Sequence, residues 1–289
     1  MHMVLTTIWL SLAIALLAAT AAGVGLFWRG SGNPHPFTTL RGQTAQISGR
    51  GLYRYDTVLM AEGFKGQDAV ILFAGLPLLL VSVLLYSRGS LVGTLLLMGT
   101  LGFFLYVYMS MLLGAAYNRL FLLYVALFSA SLFAFTLVFT SIDRDLLAAR
   151  LATGAPRVGL AVFMFASGLV TLTVWGAPLV SALIKDSTPD RLDTYTTPVT
   201  FALDLAIITP AAILSGALIL QGAALGVLIA VPLLVLILML VPLIILSTIF
   251  QRSAGVQFTT GEMIGPVAGF VVLGLIAAWF LVALLRAVG

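Results

Sequence analysis

The stretch LVGTLLLMGTLGFFLYVYMSMLLGAA (residues 91–116) runs without a charged side chain, and after YNR (117–119) comes LFLLYVALFSASLFAFTLVFT (120–140), equally uncharged. A helix needs about 20 apolar residues to cross the hydrocarbon of a bilayer, and both runs meet that length. So short a connection leaves room only for a tight hairpin, so the chain crosses, turns and crosses back. Helices apolar on every side have no face for water, which rules out two surface helices of a soluble domain.

Working outward, windows of the same length predict eight spans: Val4–Phe27, Asp68–Tyr86, Leu91–Ala116, Leu120–Thr140, Val158–Ile184, Pro198–Leu220, Ala223–Phe250 and Met263–Leu285. The predicted fold is an all-α polytopic transmembrane helical bundle, a single integral membrane domain over 1–289. Composition agrees. The chain is 61% hydrophobic and 8% charged, with mean hydropathy +1.17, whereas soluble domains carry about 25% charged residues. Its 14 basic and 10 acidic side chains suffice only where lipid covers most of the surface. The net charge of +4 does not imply nucleic acid, because the basic residues sit singly in loops and form no stripe. The cysteine-free chain excludes disulfide scaffolds and thiolate metal sites, and His2 and His35 alone argue against a histidine metal site, so no metal or cofactor is expected.

One connection is long. Residues 28–67 form an extramembrane loop in which Gly30–Pro36 is turn chemistry and Thr44–Ser48 alternates like a short strand, predicting a short strand or hairpin that lies as a lid over the helix ends. The stretch Asp143–Leu151 reads as a short interfacial helix. Ala19-Thr20-Ala21 has the small-x-small form of a signal-peptidase site, but no basic segment precedes it, so an uncleaved first span is expected. Counting basic residues places the long loop inside, with Arg29, Arg41, Arg50, Arg54 and Lys65. The rule concerns flexible flanks, however, and this loop reads as ordered, with Asp56 and Glu62 as internal partners. We therefore expect it outside, with both termini cytoplasmic in a multi-pass protein of the cell membrane.

Ionisable groups within spans are costly and are functional candidates by default. Asp204 lies about six residues inside the sixth span, roughly 9 Å along the axis. It reads either as a proton- or cation-binding carboxylate or as a buried partner for an arginine or tyrosine. Asn118 is placed to cap the fourth helix. Arg119, in that helix's first turn, is disfavoured by the dipole, so it calls either for an acid such as Asp204 or one from the long loop, or for lipid phosphates within its reach. Asp68 reads as a favourable charge opening the second helix, and Glu262, after Thr259-Thr260-Gly261, as one opening the last. Tyr106, Ser110 and Tyr117 fall on one face of the third helix and read either as a cavity wall or as an interfacial belt with interhelical hydrogen bonds; Tyr117 and Tyr124 suit the belt, and the deeper Tyr106 is the better cavity candidate.

The glycines Gly222/Gly226 and Gly261/Gly265/Gly269 allow close backbone approach. Packing within the chain is the first reading of both; a homo-oligomer or membrane partner meeting Gly261, Gly265 and Gly269 is the second. The polar inventory is lopsided, crowding one membrane face and suggesting a pocket open there. Ligand-binding candidates are Asp204, Arg119, Tyr106, Asn118, Tyr117, Arg54, Asp56, Glu62 and Asp193. A small-molecule or ion transporter is the leading expectation. A membrane binding or sensing protein or accessory subunit follows, and an enzyme acting on a lipid-linked substrate comes third. Nucleotide-loop, zinc-hydrolase and serine-hydrolase motifs are missing from the sequence.

Overall fold

The computed structural model describes residues 2–152, 154 and 156–289; Met1, and Thr153 and Ala155 of the loop Ser141–Arg157, lie outside them. Among the described residues there are nine helices, eight of them long and apolar enough to cross a membrane, and one small sheet. The spans are α1 (His2–Phe27), α2 (Val58–Ser87), α3 (Leu91–Gly114), α4 (Phe121–Ser141), α6 (Arg157–Ile184), α7 (Val199–Leu220), α8 (Ala224–Ser253) and α9 (Thr260–Val288). Between α4 and α6 lies the short α5 (Arg144–Leu151), opened by Asp143, whose carboxylate accepts from the Asp145 and Leu146 amides. Alternation puts residues 28–57, 115–120, 185–198 and 254–259 on one side, called here the loop face.

All eight expected spans are present, and α1 is part of the bundle, burying Ile14, Ala18 and Ala22. The second begins earlier than its hydropathy suggests, at Val58, where the Thr57 hydroxyl caps it by accepting from the Met60 amide. Asp68 is therefore no N-terminal charge; it sits in the third turn, buried. Glu62, Lys65 and Gln67 hide that helical stretch from a hydropathy window, yet α8 covers them. Gly63 accepts from the Ser247 hydroxyl, and Leu59 accepts from the Gln251 amide. At Gly66 a Cβ would lie 2.5 Å from the Ser247 nitrogen, so the two helices meet backbone to backbone there.

Both prolines Pro77 and Pro210 follow a wide π turn, Ile71–Gly75 in α2 and Asp204–Ile208 in α7. A helical proline lacks an N–H and its ring crowds the carbonyl four residues back. The wide turn relieves that crowding, with the Leu76 amide donating to Ile71 and the Thr209 amide to Asp204. By contrast α8 runs through Pro232 and Pro242 as one helix.

The long loop folds as expected into a hairpin, β1 (His35–Thr38) antiparallel to β2 (Thr44–Ile47), with His35 opposite Ile47. Left-handed glycines close its base. Gly49 has φ +71°, and a side chain there would strike the Asn33 carbonyl. The Ile47–Thr57 bridge then leads straight into α2.

Replacing Gly66 by valine forces α2 and α8 apart. It is expected to lower stability by about 1–3 kcal/mol, as overpacking does elsewhere, read as a reduced unfolding midpoint in detergent; an unchanged midpoint would refute the close contact.

Candidate functional site

Three loop-face segments converge on Asp56, which is 0% exposed. The long loop delivers it, 2.8 Å from the Ala116 amide of the α3–α4 turn and 2.9 Å from the Tyr195 hydroxyl of the α6–α7 loop, both donating to Oδ1. Its Oδ2 is buried and receives no hydrogen bond among the described residues. Burial pushes this carboxyl up to about 7, against the opposing pull of the Ala116 and Tyr195 bonds. The Tyr195 phenol is raised by its own burial and by Asp56. Asp193, half-buried beside Thr57, is raised chiefly by desolvation.

The α6–α7 loop reaches Asp56 through a backbone left-handed at Asp186, Arg191 and Asp193. Arg191 at φ +59° is held there by Glu262 at 2.8 Å and by the Phe258 ring at 4.9 Å. Glu262 in turn completes the cap of α9, accepting from the Thr259 amide and hydroxyl at 2.8 and 2.9 Å. On either side of this loop lie two hollows of about 240 and 390 Å³, both bordered by Leu59 and Arg191.

Deeper in the bundle, Tyr106 of α3 donates to Asp204 Oδ1 at 2.7 Å, uniting two of the expected residues. The Trp175 indole neighbours the same carboxylate, and its ring packs on Phe201 with centroids 4.4 Å apart. Asp204 faces a cleft of about 400 Å³ bounded by α6, α7, α8 and α9. The lining is otherwise aliphatic and aromatic, with Ser167 and Thr171 hydroxyls already given to their own helix. Its origin is geometric. Helices α6 and α9 meet near the opposite face through Phe163 and Phe280, 5.4 Å apart, and diverge towards the loop face. Gly265 and Gly269 line the gap, and no atom lies within 4 Å of a Cβ built on them or on Gly261. The expectation that these glycines pack within the chain is thus corrected; Gly226 does pack so, against Ile219.

A third aspartate is sealed in the first half of the bundle. Asp68 Oδ2 accepts from the Tyr53 hydroxyl at 2.7 Å, beneath Gly25 of α1, where any side chain would collide with both. Glu62 pairs within its own helix with Lys65 at 2.6 Å.

The remaining candidates do not join a site. Among the described residues Arg119 makes no ion pair; its guanidinium lies over the Trp28 ring at 5.1 Å, on the exposed side of the turn. It and Asp204 do not meet, and it precedes α4, so the dipole argument lapses. Asn118 does not cap α4 from the N-cap position but closes the turn, accepting from Leu120 at 2.9 Å and donating to Ala116 at 3.2 Å. Tyr117 leaves the Tyr106–Ser110 face because α3 ends at Gly114; it is 77% exposed and packs on Phe121. Arg54 lies over Tyr55 at 4.6 Å. Sequence reasoning missed Trp175, Tyr195 and the bonding role of Tyr53. Aromatics in apolar spans and loops carry no local signal of a distant carboxylate. No family model matches the chain, and no curated protein or solved structure matches it.

Because Asp56 binds a proton more tightly folded than unfolded, its stabilising contribution is full below about pH 4, the unfolded value, and is lost as pH rises through about 7. The unfolding midpoint of the wild type is expected to fall across that window, and Asp56→Asn, an isostere of the protonated acid, to flatten much of the fall. Identical slopes in the two proteins would remove Asp56 from this role.

Proposed function

We propose that this protein binds a lipophilic small molecule in the α6–α9 cleft and carries it between the bilayer interior and the loop face. Asp204 accepts the ligand's cationic or hydrogen-bond-donating head. One observation supports this above others: a lone carboxylate, bonded to a phenol and to no basic residue, opens into an otherwise apolar cleft. An unpaired buried charge is costly, so the complementary occupant is an amine or similar donor on an apolar body. The cleft volume of about 400 Å³ falls in the range of roughly 300–1,000 Å³ common for small-molecule sites. The aromatic pair Trp175–Phe201 stands between this cleft and the hollow of about 240 Å³ at the loop face, giving a route between the two. Placing the loop face outside the cell makes the carried ligand one exchanged with the exterior.

A second reading, a binding or accessory protein without transport, is favoured by one feature. The lining nearest the opposite face, around Met164 and Leu273, is apolar and offers no polar continuation.

The test uses protein in nanodiscs and a matched series of dodecylamine, dodecyltrimethylammonium and dodecanol, read by Trp175 fluorescence with Trp175→Phe as the blank. Amine binding is expected to weaken at least 10-fold in Asp204→Asn, about 1.4 kcal/mol, with dodecanol little affected. Equal amine affinity in wild type and variant refutes the reading. Binding in nanodiscs without uptake into proteoliposomes selects the accessory reading.

A further inference from the structure

Asp68 plays no part in the cleft, and its surroundings are unusual. It is 1% exposed, and the one side-chain hydrogen bond it receives comes from Tyr53. The nearest cation, Lys65, is already held by Glu62. Beside it are Tyr108 of α3 and Tyr124 of α4, neutral phenols near enough to feel the charge of Asp68, their rings 6.4 Å apart. Among the described residues both hydroxyls are buried and without a hydrogen-bond partner. Native interiors seldom leave several polar atoms unsatisfied in one place, and such atoms ask for an explanation. Gly25 supplies another, since α1 gives up a side chain there to admit the carboxyl and the phenol together.

The Tyr124 hydroxyl neighbours Tyr53 on one side and Asn118 on the other, bonded to neither in this structure, and it feels the charge of Asp56. A hydroxyl both donates and accepts and rotates about its C–O bond. A phenol in that position passes a proton on by receiving one on its lone pair and releasing its own, ending neutral. A carboxylate isolated from water and from cations is most simply neutralised by a proton.

We propose that Asp68 is a proton-exchange site inside the membrane domain, served from the loop face by the relay Tyr124–Tyr53. The proton enters from the Asp56 side, Tyr124 hands its own to Tyr53, and Tyr53 hands its own to Asp68 Oδ2; release runs the same steps backwards. Each phenol is restored, and the net change is one proton gained or lost by Asp68. Asn118 borders the Tyr124 hydroxyl at the loop-face end, and Tyr108 does not lie on the route. This site does not rest on the ligand reading of Asp204.

The experiment is infrared spectroscopy of the full chain in lipid, transferred from water to D2O. A protonated carboxyl band absent from Asp68→Asn identifies the site, and its deuterium shift measures exchange. The shift is expected to slow at least 10-fold in Tyr53→Phe and in Tyr124→Phe. Tyr86→Phe, a buried phenol near the opposite end of α2, should exchange at the wild-type rate. Tyr124 makes no hydrogen bond to lose, so its variant keeps the test decisive if Tyr53→Phe fails to fold. Absence of any Asp68-dependent band, or wild-type exchange in Tyr124→Phe, overturns the proposal. If ligand binding at Asp204 fails while this exchange holds, the fault lies with the cleft and not with the relay.

Discussion

Among the described residues three aspartates are buried, and each is held by a tyrosine hydroxyl rather than by an arginine or lysine: Asp56 by Tyr195, Asp68 by Tyr53 and Asp204 by Tyr106, at 2.9, 2.7 and 2.7 Å. A phenol satisfies one lone pair of a carboxylate without bringing a second charge to be desolvated, and so avoids the penalty of a buried ion pair. It also leaves the carboxylate electrostatically uncompensated. That constraint organises the rest: the loop must dock to supply Tyr53 and Asp56, α3 must pass beside α7 to supply Tyr106, and α1 must narrow at Gly25.

The two halves of the bundle treat this arrangement differently. Residues 2–141 and 157–288 follow the same order: a span, a loop on one face, a span with an early buried aspartate and a π turn before proline, then two more spans. In the first half α1 packs along α4 and the aspartate is enclosed. In the second, α6 and α9 part, and the aspartate faces a cleft. One carboxylate is closed off and the other opens onto a cleft.

Eight spans were legible because lipid demands apolar side chains over a fixed length, and hydropathy reads that demand directly. The start of α2 was not, because Glu62, Lys65 and Gln67 are shielded by α8 and the loop rather than by lipid. A one-dimensional window cannot tell those two shields apart. Asp204 and Tyr106 stood out as polar residues too deep to reach water, whereas their meeting depended on how α3 and α7 cross. The expected Arg119–acid pair failed on the same ground. A turn as short as 115–120 points its arginine outward, where its guanidinium lies over the Trp28 ring. Sequence marks which groups need partners, and packing chooses them.

The π turns of α2 and α7 each hold one residue more than an α-helical turn would, which rotates everything beyond them by about 100°. The loop-side ends, carrying Asp68 and Asp204, are thereby set on a different azimuth from the apolar halves below. Each is in effect two half-helices joined out of phase. The lower half of α2 packs on α3 and that of α7 on α8, whereas the upper half of α2 packs on α8 and that of α7 on α3, so the change of phase lets one helix serve two sets of neighbours.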